Sequence, residues 1–391
     1  MKEIYEPRED TFMIEKEVKR LATGKVLDMG TGTGVLAIEA SQKADYVIGC
    51  DINRAALDYA KKKAETMSLD NVKFVYSDLF SYFKENPEKF DLIIFNPPYL
   101  PEQEGEEEEV RLQVSGGKKG YELLERFFAE VSDYLEVDGK ILVLFSTLTG
   151  VDKIHDILDK HAFSYQKLSE EAYDFETLFV YLVEKNDFLK KLEFRGIANI
   201  EKIAKGHRGV VYSGMYDGKK VAVKKKREDS EAVGRMQNEA RWLKFLNRKG
   251  IGPEFIYSED DYLVYYFVEG VPIVDFLKKA DKEDIRKVLV DVLKQCYNLD
   301  KIGINKEEMH HPLKHILVKK DNVPVMIDFE RAHSTQKPKN VTQFLQFVSS
   351  KPMMDLLAEK GFKNFQGWWV NSREKILRMA KKYKRRIKSA K

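Results

Sequence analysis

Short apolar runs alternate with amphipathic segments along the first half of the chain. Four of these runs have strand length: Lys25–Met29, Tyr46–Cys50, Val72–Tyr76 and Phe90–Phe95. Nearly continuous apolar strands that alternate with helices are typical of a mainly parallel sheet covered on both faces. We therefore predict an α/β fold from Lys25 to about Glu184.

The hydrophobic pattern changes beyond this point. Two short strands flank a glycine turn between Ile203 and Tyr212, and a further strand covers Lys220 to Lys224. This change predicts a second domain, of bilobal α+β type. We place the first domain at residues 1–185 and the second at residues 192–391.

Length and composition bound the class of protein. A chain of 391 residues exceeds one ordinary domain, and a hydrophobic content of 43% suffices for well-filled cores. No apolar run is long enough to span a bilayer and no charged-then-apolar leader opens the chain, so we expect a soluble cytoplasmic protein with no membrane contact. Cys50 and Cys296 are far apart and form no metal-ligand pattern, which excludes a disulfide framework.

The sequence Asn96-Pro97-Pro98-Tyr99 follows the fourth apolar run directly. Two prolines end the strand and hold the backbone extended, so the motif is expected at the carboxyl end of a strand, where open α/β sheets bind ligands. There, the side-chain oxygen of Asn96 and the carbonyl of Pro97 can accept both hydrogens of an NH2 group, while Tyr99 covers its flat face. Such a site orients a planar nitrogen towards an electrophile. The alternative interpretation is an ordinary surface turn.

Acidic residues follow or interrupt the other strands. Asp28 precedes the glycine-rich turn that contains Gly30 and Gly32, and a carboxylate there disfavours a phosphate and suits a cationic ligand. Asp51 ends the next strand, where an acid can accept hydrogen bonds from both ribose hydroxyls. Asp78 follows the third strand and can accept from an adenine amino group. Each acid can alternatively be a helix cap, and Asp78 fits that interpretation best.

These motifs together resemble one family. The segment Tyr5 to Phe12, the glycine-rich turn, the acids and Asn96 to Tyr99 resemble the HemK-type S-adenosylmethionine-dependent methyltransferases, specifically their short archaeal and eukaryotic branch. That branch methylates the glutamine of the Gly-Gly-Gln loop in class-1 translation termination factors. The resemblance covers roughly the first half of the chain. It implies a class I methyltransferase fold with a Rossmann-like seven-stranded sheet and a protein-glutamine N-methyltransferase activity.

The resemblance also implies roles for individual residues. Cofactor contacts are expected from Thr11, Asp28, Gly30, Gly32, Asp51, Asp78, Leu79 and Asn96. The substrate glutamine is expected to contact the catalytic set Asn96, Pro97, Pro98 and Tyr99. The segment Ser115 to Gly120, which opens a helix at Tyr121, resembles the substrate-side loop of the family.

Two features bear on partners of this domain. The run Glu106 to Glu109 is either a solvated segment or a means of steering a basic substrate, since members of this branch are thought to accept lysine as well. Eukaryotic and archaeal relatives are subunits of heterodimers with a small zinc-finger activator protein. The resemblance therefore implies such an activator as a partner.

The second domain carries a different set of motifs. Gly206 and Gly209 lie in a turn between two strands, Lys224 lies in the next strand, and the helix Met236 to Leu246 carries Glu239, which is placed to pair with Lys224. Asp328 follows another strand. This order resembles small atypical kinases of the RIO and aminoglycoside-phosphotransferase type. It implies an ATP site, with Asp328 as the magnesium ligand.

The expected catalytic loop departs from the kinase pattern. Aligning the strand that begins at Ile316 puts His315 at the position of the second metal ligand and His310 at that of the catalytic aspartate. Glu308 or His310 could accept the hydroxyl proton instead. Equally, this domain could bind nucleotide without phosphorylating a substrate. A zinc site at His310, His311 and His315 is not favoured, since no cysteine or carboxylate pair accompanies them.

The segment Arg373 to Lys391 combines apolar residues at near-helical spacing with many lysines and arginines. It is either a solvated helix or a contact for the phosphate backbone of tRNA or ribosomal RNA. The segment contains a single aromatic residue, Tyr383, and no repeated aromatic pattern that suggests base-specific readout, so we expect such binding to be independent of base sequence.

Two alternative functions remain open. The Asn-Pro-Pro-Tyr motif also serves adenine amino groups in DNA and RNA methyltransferases, although no separate target-recognition segment is visible before Glu184. Alternatively, the kinase-like half defines the biology, and the methyltransferase fold is a docking or sensor module.

Overall fold

A computed structural model describes residues 7–102, 114–206, 209–227 and 234–362. The chain divides into two compact units, Met1–Val221 and Ala222–Lys391. Several sequence features lie outside the described residues, namely Tyr5 and Glu6, the run Glu106 to Glu109, the pair His207 and Arg208, and the segment Arg373 to Lys391. No helix among the described residues is both long and apolar enough to cross a membrane.

The first unit contains seven helices and eleven strands within its described residues. The helices are α1 Glu9–Leu21, α2 Val35–Ala40, α3 Arg54–Thr66, α4 Ser81–Glu85, α5 Glu122–Glu130, α6 Val151–Lys160 and α7 Asp187–Phe194. The strands are β1 Lys25–Met29, β2 Tyr46–Asp51, β3 Val72–Tyr76, β4 Phe90–Phe95, β5 Leu100–Pro101, β6 Ser115–Gly117, β7 Leu135–Ser146, β8 Phe163–Ala172, β9 Thr177–Lys185, β10 Ile197–Lys205 and β11 Gly209–Tyr216.

Seven of these strands form one sheet in the order β3-β2-β1-β4-β7-β9-β8. The first five are parallel, whereas β9 runs antiparallel to β7 and β8. Leu92, Ile93, Ile94 and Phe95 of β4 are all at most 2% exposed, because the strand lies mid-sheet with cover on both faces. The predicted mainly parallel sheet and its strand positions are therefore confirmed.

The register of the sheet brings the predicted motifs to one edge. Met29 at the end of β1 pairs with Cys50 on one side and with Phe95 on the other. Since parallel strands end at the same edge, the residues that follow them, including Asp51 and Asn96, are neighbours. Helix α1 packs Met13, Ile14 and Val18 into the core, which brings its first turn towards this edge.

The charged segment after β9 belongs to the first unit. Helix α7 begins after Asn186, whose side chain accepts a hydrogen bond from Leu189 N at 2.9 Å. The fully buried Lys185 Nζ donates to the carbonyls of Ser132 and Leu135, at 2.8 and 2.9 Å, and pairs with Glu193 Oε2 at 2.6 Å. These contacts attach the charged segment to the first unit, because a buried ammonium needs its full set of partners.

The two units divide between Val221 and Ala222, inside strand β12 Lys219–Lys226. The domain bounds expected from the sequence, 1–185 and 192–391, stay a prediction. Strands β10 and β11, predicted for the second domain, pair antiparallel within the first unit.

The second unit contains five helices and seven strands within its described residues. They are α8 Arg235–Leu246, α9 Ile273–Lys279, α10 Lys282–Lys301, α11 Asn340–Val348 and α12 Lys351–Glu359, with β13 Phe255–Ser258, β14 Tyr262–Tyr266, β15 Val271–Pro272, β16 Ile304–Asn305, β17 Ile316–Val318, β18 Pro324–Met326 and β19 His333–Ser334.

Helix α10 forms the centre of the second unit. Its apolar residues recur at helical spacing from Ile285 through Val288 and Val292 to Leu299, and all are buried. Strand β17 pairs antiparallel with β18, with Ile316 opposite Met326. The residues just outside this pair of strands are therefore brought together.

Candidate functional site

A cavity of about 1140 Å³ lies in the first unit at the carboxyl edge of its parallel strands. Its lining comes from the first turn of α1, the glycine-rich turn after β1, the ends of β2, β3 and β4, and the loop before α5. This volume accommodates a nucleoside-sized cofactor together with a substrate side chain.

The glycine-rich turn leaves room for a ligand. Gly32 has a φ of +50°, and a Cβ added there would meet nothing within 4 Å, so the turn faces open space. Gly34 has a φ of +76°, and its Cβ would lie 2.8 Å from Ala60 Cβ. Glycine is thus required at Gly34 by close packing and left-handed backbone, whereas Gly32 borders the cavity.

The buried side chain of Asp28 holds this turn in place. Its Oδ2 accepts hydrogen bonds from Thr31 Oγ1 at 2.6 Å and from Ala37 N at 3.0 Å, and the residue is 1% exposed. Burial raises the pKa of Asp28 to about 7, although both hydrogen bonds oppose this. Asp28 itself does not line the cavity, and its expected contact with the cofactor stays a prediction. It holds the turn that does border it.

Asp51 borders the cavity at the end of β2. Its Oδ2 accepts from Gly32 N at 2.8 Å, and its Oδ1 accepts from Asn53 N at 2.8 Å. Burial raises the pKa of Asp51 above its ordinary value, against the effect of these backbone hydrogen bonds. Each oxygen retains capacity to accept a further hydrogen bond, as a diol would require.

Asp78 and Leu79 border the cavity at the end of β3. Both carboxylate oxygens of Asp78 accept from Arg126 Nη2, at 3.1 and 3.2 Å, in an ion pair whose two side chains are each 56% exposed. Leu79 is buried at a φ of +45°, which sets the direction in which the chain leaves the strand. The helix-cap alternative for Asp78 is not what the structure shows, because the following helix α4 has no side-chain cap.

The two polar side-chain atoms of Asn96 differ in their hydrogen bonding. Its Nδ2 donates to Asp10 Oδ2 at 2.9 Å, whereas its Oδ1 is buried and has no hydrogen-bond partner among the described residues. Asp10 belongs to the first turn of α1 and is 5% exposed. Thr11 donates from Oγ1 to Asp10 Oδ1 at 3.4 Å and also borders the cavity. Asn96 lines the cavity, so one of the residues of this cavity has a buried acceptor with no donor within the described part of the chain.

The rest of the Asn-Pro-Pro-Tyr motif is held by neighbouring loops. Thr149 Oγ1 donates to the carbonyl of Tyr99 at 3.1 Å, and β5 pairs with β6 beyond it. A Cβ on Gly116 would lie 2.7 Å from the carbonyl oxygen of Pro98, so the two loops pack backbone to backbone. The segment Ser115 to Gly120 therefore lies beside the motif, in agreement with the position expected of a substrate-side loop.

Most residues that the sequence singled out thus meet at one cavity, namely Thr11, Gly30, Gly32, Asp51, Asp78, Leu79, Asn96, Pro97, Pro98 and Tyr99. Sequence reasoning missed the roles of Asp10 and Arg126. Asp10 was visible inside the first motif, but its contact with Asn96 spans 86 residues. Arg126 carries no sequence signal, since it is one of many exposed helical cations.

A second cluster of charged side chains lies in the second unit. Lys224 Nζ is 2.7 Å from Glu239 Oε2, 3.0 Å from Asp328 Oδ1 and 3.6 Å from Glu330 Oε2. Burial by itself lowers the pKa of Lys224, but the carboxylates of Glu239 and Asp328 outweigh it and raise that pKa. The predicted pairing of Lys224 with Glu239 is confirmed.

Lys306 is a buried member of the same cluster that sequence reasoning missed. It is 2% exposed, and its Nζ donates to the carbonyl of Asp328 at 2.9 Å. Burial lowers the pKa of Lys306 to about 8. Burial would raise the pKa of Asp328, but the cations of Lys224 and Lys306 lower it. Asp328 has a φ of +64°, an uncommon conformation that these contacts maintain.

His315 adjoins Asp328 because the two residues flank the paired strands β17 and β18, with Ile327 N donating to the carbonyl of His315 at 2.9 Å. The imidazole Nδ1 lies 3.5 Å from Asp328 Oδ2, and Nε2 lies 3.2 Å from Glu308 Oε2. Burial lowers the pKa of His315, with a smaller contribution from Lys306. Among the described residues, Glu308, His315 and Asp328 form a group able to hold a metal ion.

His310 is not a member of this group, and its expected alignment with the catalytic aspartate stays a prediction. It is exposed, and its ring packs edge-on against that of His311 at 5.0 Å between centroids. Glu308 takes the place beside His315 instead. The chain turns at Glu307 and Glu308, which both have a positive φ. Glutamate is not a residue type that indicates this conformation, so the turn cannot be predicted from the sequence.

Gly206 and Gly209 belong to the first unit. Gly206 N donates to the carbonyl of Gly209 at 2.8 Å, where β10 turns into β11. The predicted strands around a glycine turn are therefore confirmed.

Comparison with known proteins concerns the first half of the chain. Residues 11–176 match the family model "Methyltransferase small domain". Together with the strand order, this match identifies the fold of these residues as that of class I S-adenosylmethionine methyltransferases.

Individual relatives are similar to the same region. A protein of Methanocaldococcus jannaschii, described as a candidate protein N5-glutamine methyltransferase, is 38% identical over 181 residues, which are 46% of this chain and 90% of that protein. The release factor glutamine methyltransferase of Bacillus anthracis is 32% identical over 134 residues, which are 32% of this chain and 46% of that enzyme. The chain thus spans about half the length of that bacterial enzyme. The solved E. cuniculi Mtq2–Trm112 complex, described as methylating the eRF1 termination factor, aligns with a TM-score of 0.38 at 24% identity, over 47% of this chain and 99% of the matched chain.

Proposed function

We propose a substrate for this chain, which belongs to the protein N5-glutamine methyltransferase family and is an S-adenosylmethionine-dependent N-methyltransferase. In the proposed reaction, the enzyme methylates the side-chain amide of a glutamine in a class-1 translation termination factor. The proposed acceptor is the glutamine of the Gly-Gly-Gln loop. Such a substrate belongs to the cytoplasmic translation machinery.

The unpartnered Oδ1 of Asn96 is the observation that carries this proposal. A buried acceptor without a donor is costly, and the cost is removed when a ligand supplies an N–H. A primary amide supplies two N–H groups from one planar nitrogen, and the carbonyl of Pro97 next in the chain offers a second acceptor. The Tyr99 ring can then cover the flat face of the amide and exclude water.

The cavity fits the expected cofactor. Asp51 offers acceptors suited to ribose hydroxyls, the turn at Gly32 opens to the cavity, and no cation of this turn is available to bind a phosphate. S-adenosylmethionine supplies a methyl group on a sulfonium, an electrophile that needs no further activation. Asn96 and Pro97 orient the amide nitrogen, and orientation is the main source of rate where the nucleophile is weak. The amide proton leaves after transfer, because none of the described residues that line the cavity is placed as an obvious base.

Two partners are further proposals. A small zinc-finger activator is supported by the resemblance to heterodimeric relatives. Contact with tRNA or ribosomal RNA is supported by the basic residues between Arg373 and Lys391, which attract a phosphate backbone.

The test measures transfer of labelled methyl from S-adenosylmethionine to three substrates: the termination factor, its Gly-Gly-Gln to Gly-Gly-Ala variant and bulk tRNA. Each is assayed with and without the zinc-finger activator. We expect label on the intact factor alone. Label on tRNA alone would contradict the proposal and favour the adenine or RNA methyltransferase alternative.

A second proposed function, ATP binding, rests on the Lys224 cluster. The Lys224–Glu239 pair at 2.7 Å beside Asp328 is the arrangement that orients nucleotide phosphates in kinase-like proteins, and supports a domain similar to RIO and aminoglycoside-phosphotransferase kinases. Asp328, Glu308 and His315 fit a divalent cation, for which magnesium is the proposed ion. The chain would then act as a kinase or as a nucleotide-binding regulator of the methyltransferase.

Binding of ATP with and without magnesium tests this second function. We expect the Lys224→Ala variant to lose ATP binding, while the exposed Lys244→Ala control retains it. Equal binding by both variants would show that the cluster is structural. Transfer of labelled phosphate to the chain itself or to the termination factor would distinguish a kinase from a nucleotide-binding regulator.

A further inference from the structure

The side chain of Asn96 can be useful to an amide acceptor in only one of its two orientations. With Oδ1 towards the substrate, the Asn96 side chain accepts an N–H from the substrate amide. A half-turn of the Asn96 amide would instead present Nδ2, which is a donor and cannot pair with the N–H donors of the substrate. The two orientations occupy nearly the same volume, so packing alone discriminates poorly between them. A neighbouring group with a fixed hydrogen-bonding character, one that can only accept or only donate, must therefore select one of the two orientations.

Asp10 has that character. A carboxylate accepts and does not donate, and Asp10 Oδ2 lies 2.9 Å from Asn96 Nδ2. The half-turned amide would place Asn96 Oδ1 against this carboxylate, two acceptors without a proton between them. Because Asp10 is 5% exposed, water has little access to relieve that repulsion.

The position of Asp10 is itself constrained. It lies in the first turn of α1, where the free backbone N–H groups and the helix dipole favour a negative charge. Met13 and Ile14 on the same helix are buried in the core, so the helix cannot retreat from the sheet without exposing them. The carboxylate is therefore presented to Asn96 by a rigid element.

We propose that Asp10 is a positioning residue that locks the Asn96 amide with its oxygen towards the methyl acceptor, and polarises that amide so that Oδ1 accepts more strongly. A hydrogen bond from Nδ2 to a charged acceptor shifts electron density towards Oδ1, and the effect is larger in a buried site. The inference rests on the proposed glutamine methylation and specifies how the acceptor is recognised.

Steady-state kinetics of Asp10→Ala, Asp10→Asn, Asn96→Ala and the double variant Asp10→Ala/Asn96→Ala test this role. We expect Asp10→Ala to lower kcat about 100-fold, because a misoriented amide no longer aligns the nucleophile. Affinity for S-adenosylmethionine should change by less than about threefold, because the proposed role of Asp10 is to orient Asn96. Asp10→Asn should recover part of the lost activity, since its carbonyl oxygen can still accept from Asn96 Nδ2.

The double variant distinguishes positioning from an independent contribution. If Asp10 acts through Asn96, the double variant should be no slower than Asn96→Ala alone. The inference would be overturned if the losses of kcat in the two single variants multiply in the double variant. An Asp10→Ala enzyme with unchanged kcat would overturn it as well. Glu15→Gln is the matched control, because it removes a carboxylate from the same helix that pairs with Lys19 at 3.0 Å. Equal thermal midpoints of the variants establish that each is folded.

A second measurement separates this inference from the proposed function. The side-chain amide of Asn96 is observed by nuclear magnetic resonance in asparagine-labelled protein and assigned with Asn96→Ala. We expect Asp10→Ala, but not Glu15→Gln, to shift these resonances and increase their hydrogen exchange. If wild type fails to label the termination factor, the proposed function fails, yet the resonances still decide the orientation. Unshifted resonances in Asp10→Ala would overturn it.

Discussion

The two polar sites of this chain differ in how their charges and hydrogen bonds are satisfied. In the first unit, Asn96 lines a large cavity, and its buried side-chain oxygen has no donor among the residues that the structure describes. In the second unit, Lys224 already contacts three carboxylates, those of Glu239, Asp328 and Glu330. The first site is therefore incomplete without a ligand, whereas the second is internally compensated and must exchange partners to bind one.

This difference has an energetic meaning. An unpaired acceptor destabilises the empty protein and rewards binding, which is a preorganised arrangement. A compensated ion cluster stabilises the empty protein, and a ligand can bind there only by replacing some of the existing ion pairs. Substitutions at the first site should therefore act on turnover, and substitutions at the second should act on stability as well as binding.

Removing the incomplete acceptor should have the largest effect. We expect Asn96→Ala to lower kcat by about 10³-fold or more, by analogy with the loss of a preorganised hydrogen-bonding group, while affinity for S-adenosylmethionine falls much less. The assay is methyl transfer to the termination factor. Asn86→Ala is the control, because Asn86 is an exposed asparagine outside the cavity. Retained methylation by Asn96→Ala would exclude the assigned site.

Breaking the compensated cluster should primarily destabilise the second unit. Lys224→Ala leaves Glu239, whose side chain is 3% exposed, without its cation, and such a loss typically costs about 3–5 kcal/mol. Denaturant unfolding should show this loss, while the exposed Lys244→Ala remains close to wild type. A Lys224→Ala protein as stable as the control would show that the charges are not mutually dependent.

The buried acid of the first unit should give a characteristic pH dependence. Burial raises the pKa of Asp28 to about 7 from an unfolded value near 3.9, so between these values the folded state binds the extra proton. Its contribution to stability is therefore lost as pH rises from about 4 to 7. Asp28→Asn should gain stability relative to wild type across this window, measured by unfolding at pH 4.5 and 7.5. A constant difference between the two proteins would contradict the assigned titration.

The smallest effect is expected at the exposed ion pair. Arg126→Ala frees Asp78, and exposed ion pairs contribute only about 0–1 kcal/mol, so affinity for S-adenosylmethionine should rise by no more than about fivefold if Asp78 contacts adenine. Calorimetric titration measures this, with Lys84→Ala as a control that removes another exposed pair, to Glu130. A fall in affinity would instead place Arg126 itself in contact with the cofactor.

Much of the first unit could be predicted from local sequence. The run Phe90–Phe95 is strand β4, and Asn96 follows it at the sheet edge because two prolines cannot continue a strand. The pairing of Lys224 with Glu239 was also predictable, because a strand lysine and a helix glutamate in this order form a recurring arrangement. Apolar periodicity and turn residues carry this information, since they act over a few residues at a time.

Other features depend on contacts between distant segments. Asp28 points inwards to hold a turn, Asp10 meets Asn96 across 86 residues, and Lys185 is buried among carbonyls where the sequence suggests a linker. Glu308, not His310, adjoins His315, because the turn and the pairing of β17 with β18 decide which side chain arrives there. The sequence by itself determined the strands, their polar ends and the family. Only the tertiary structure decided which polar groups satisfy one another and which acceptor is left for a ligand, because hydrogen-bond partners are set by proximity in space.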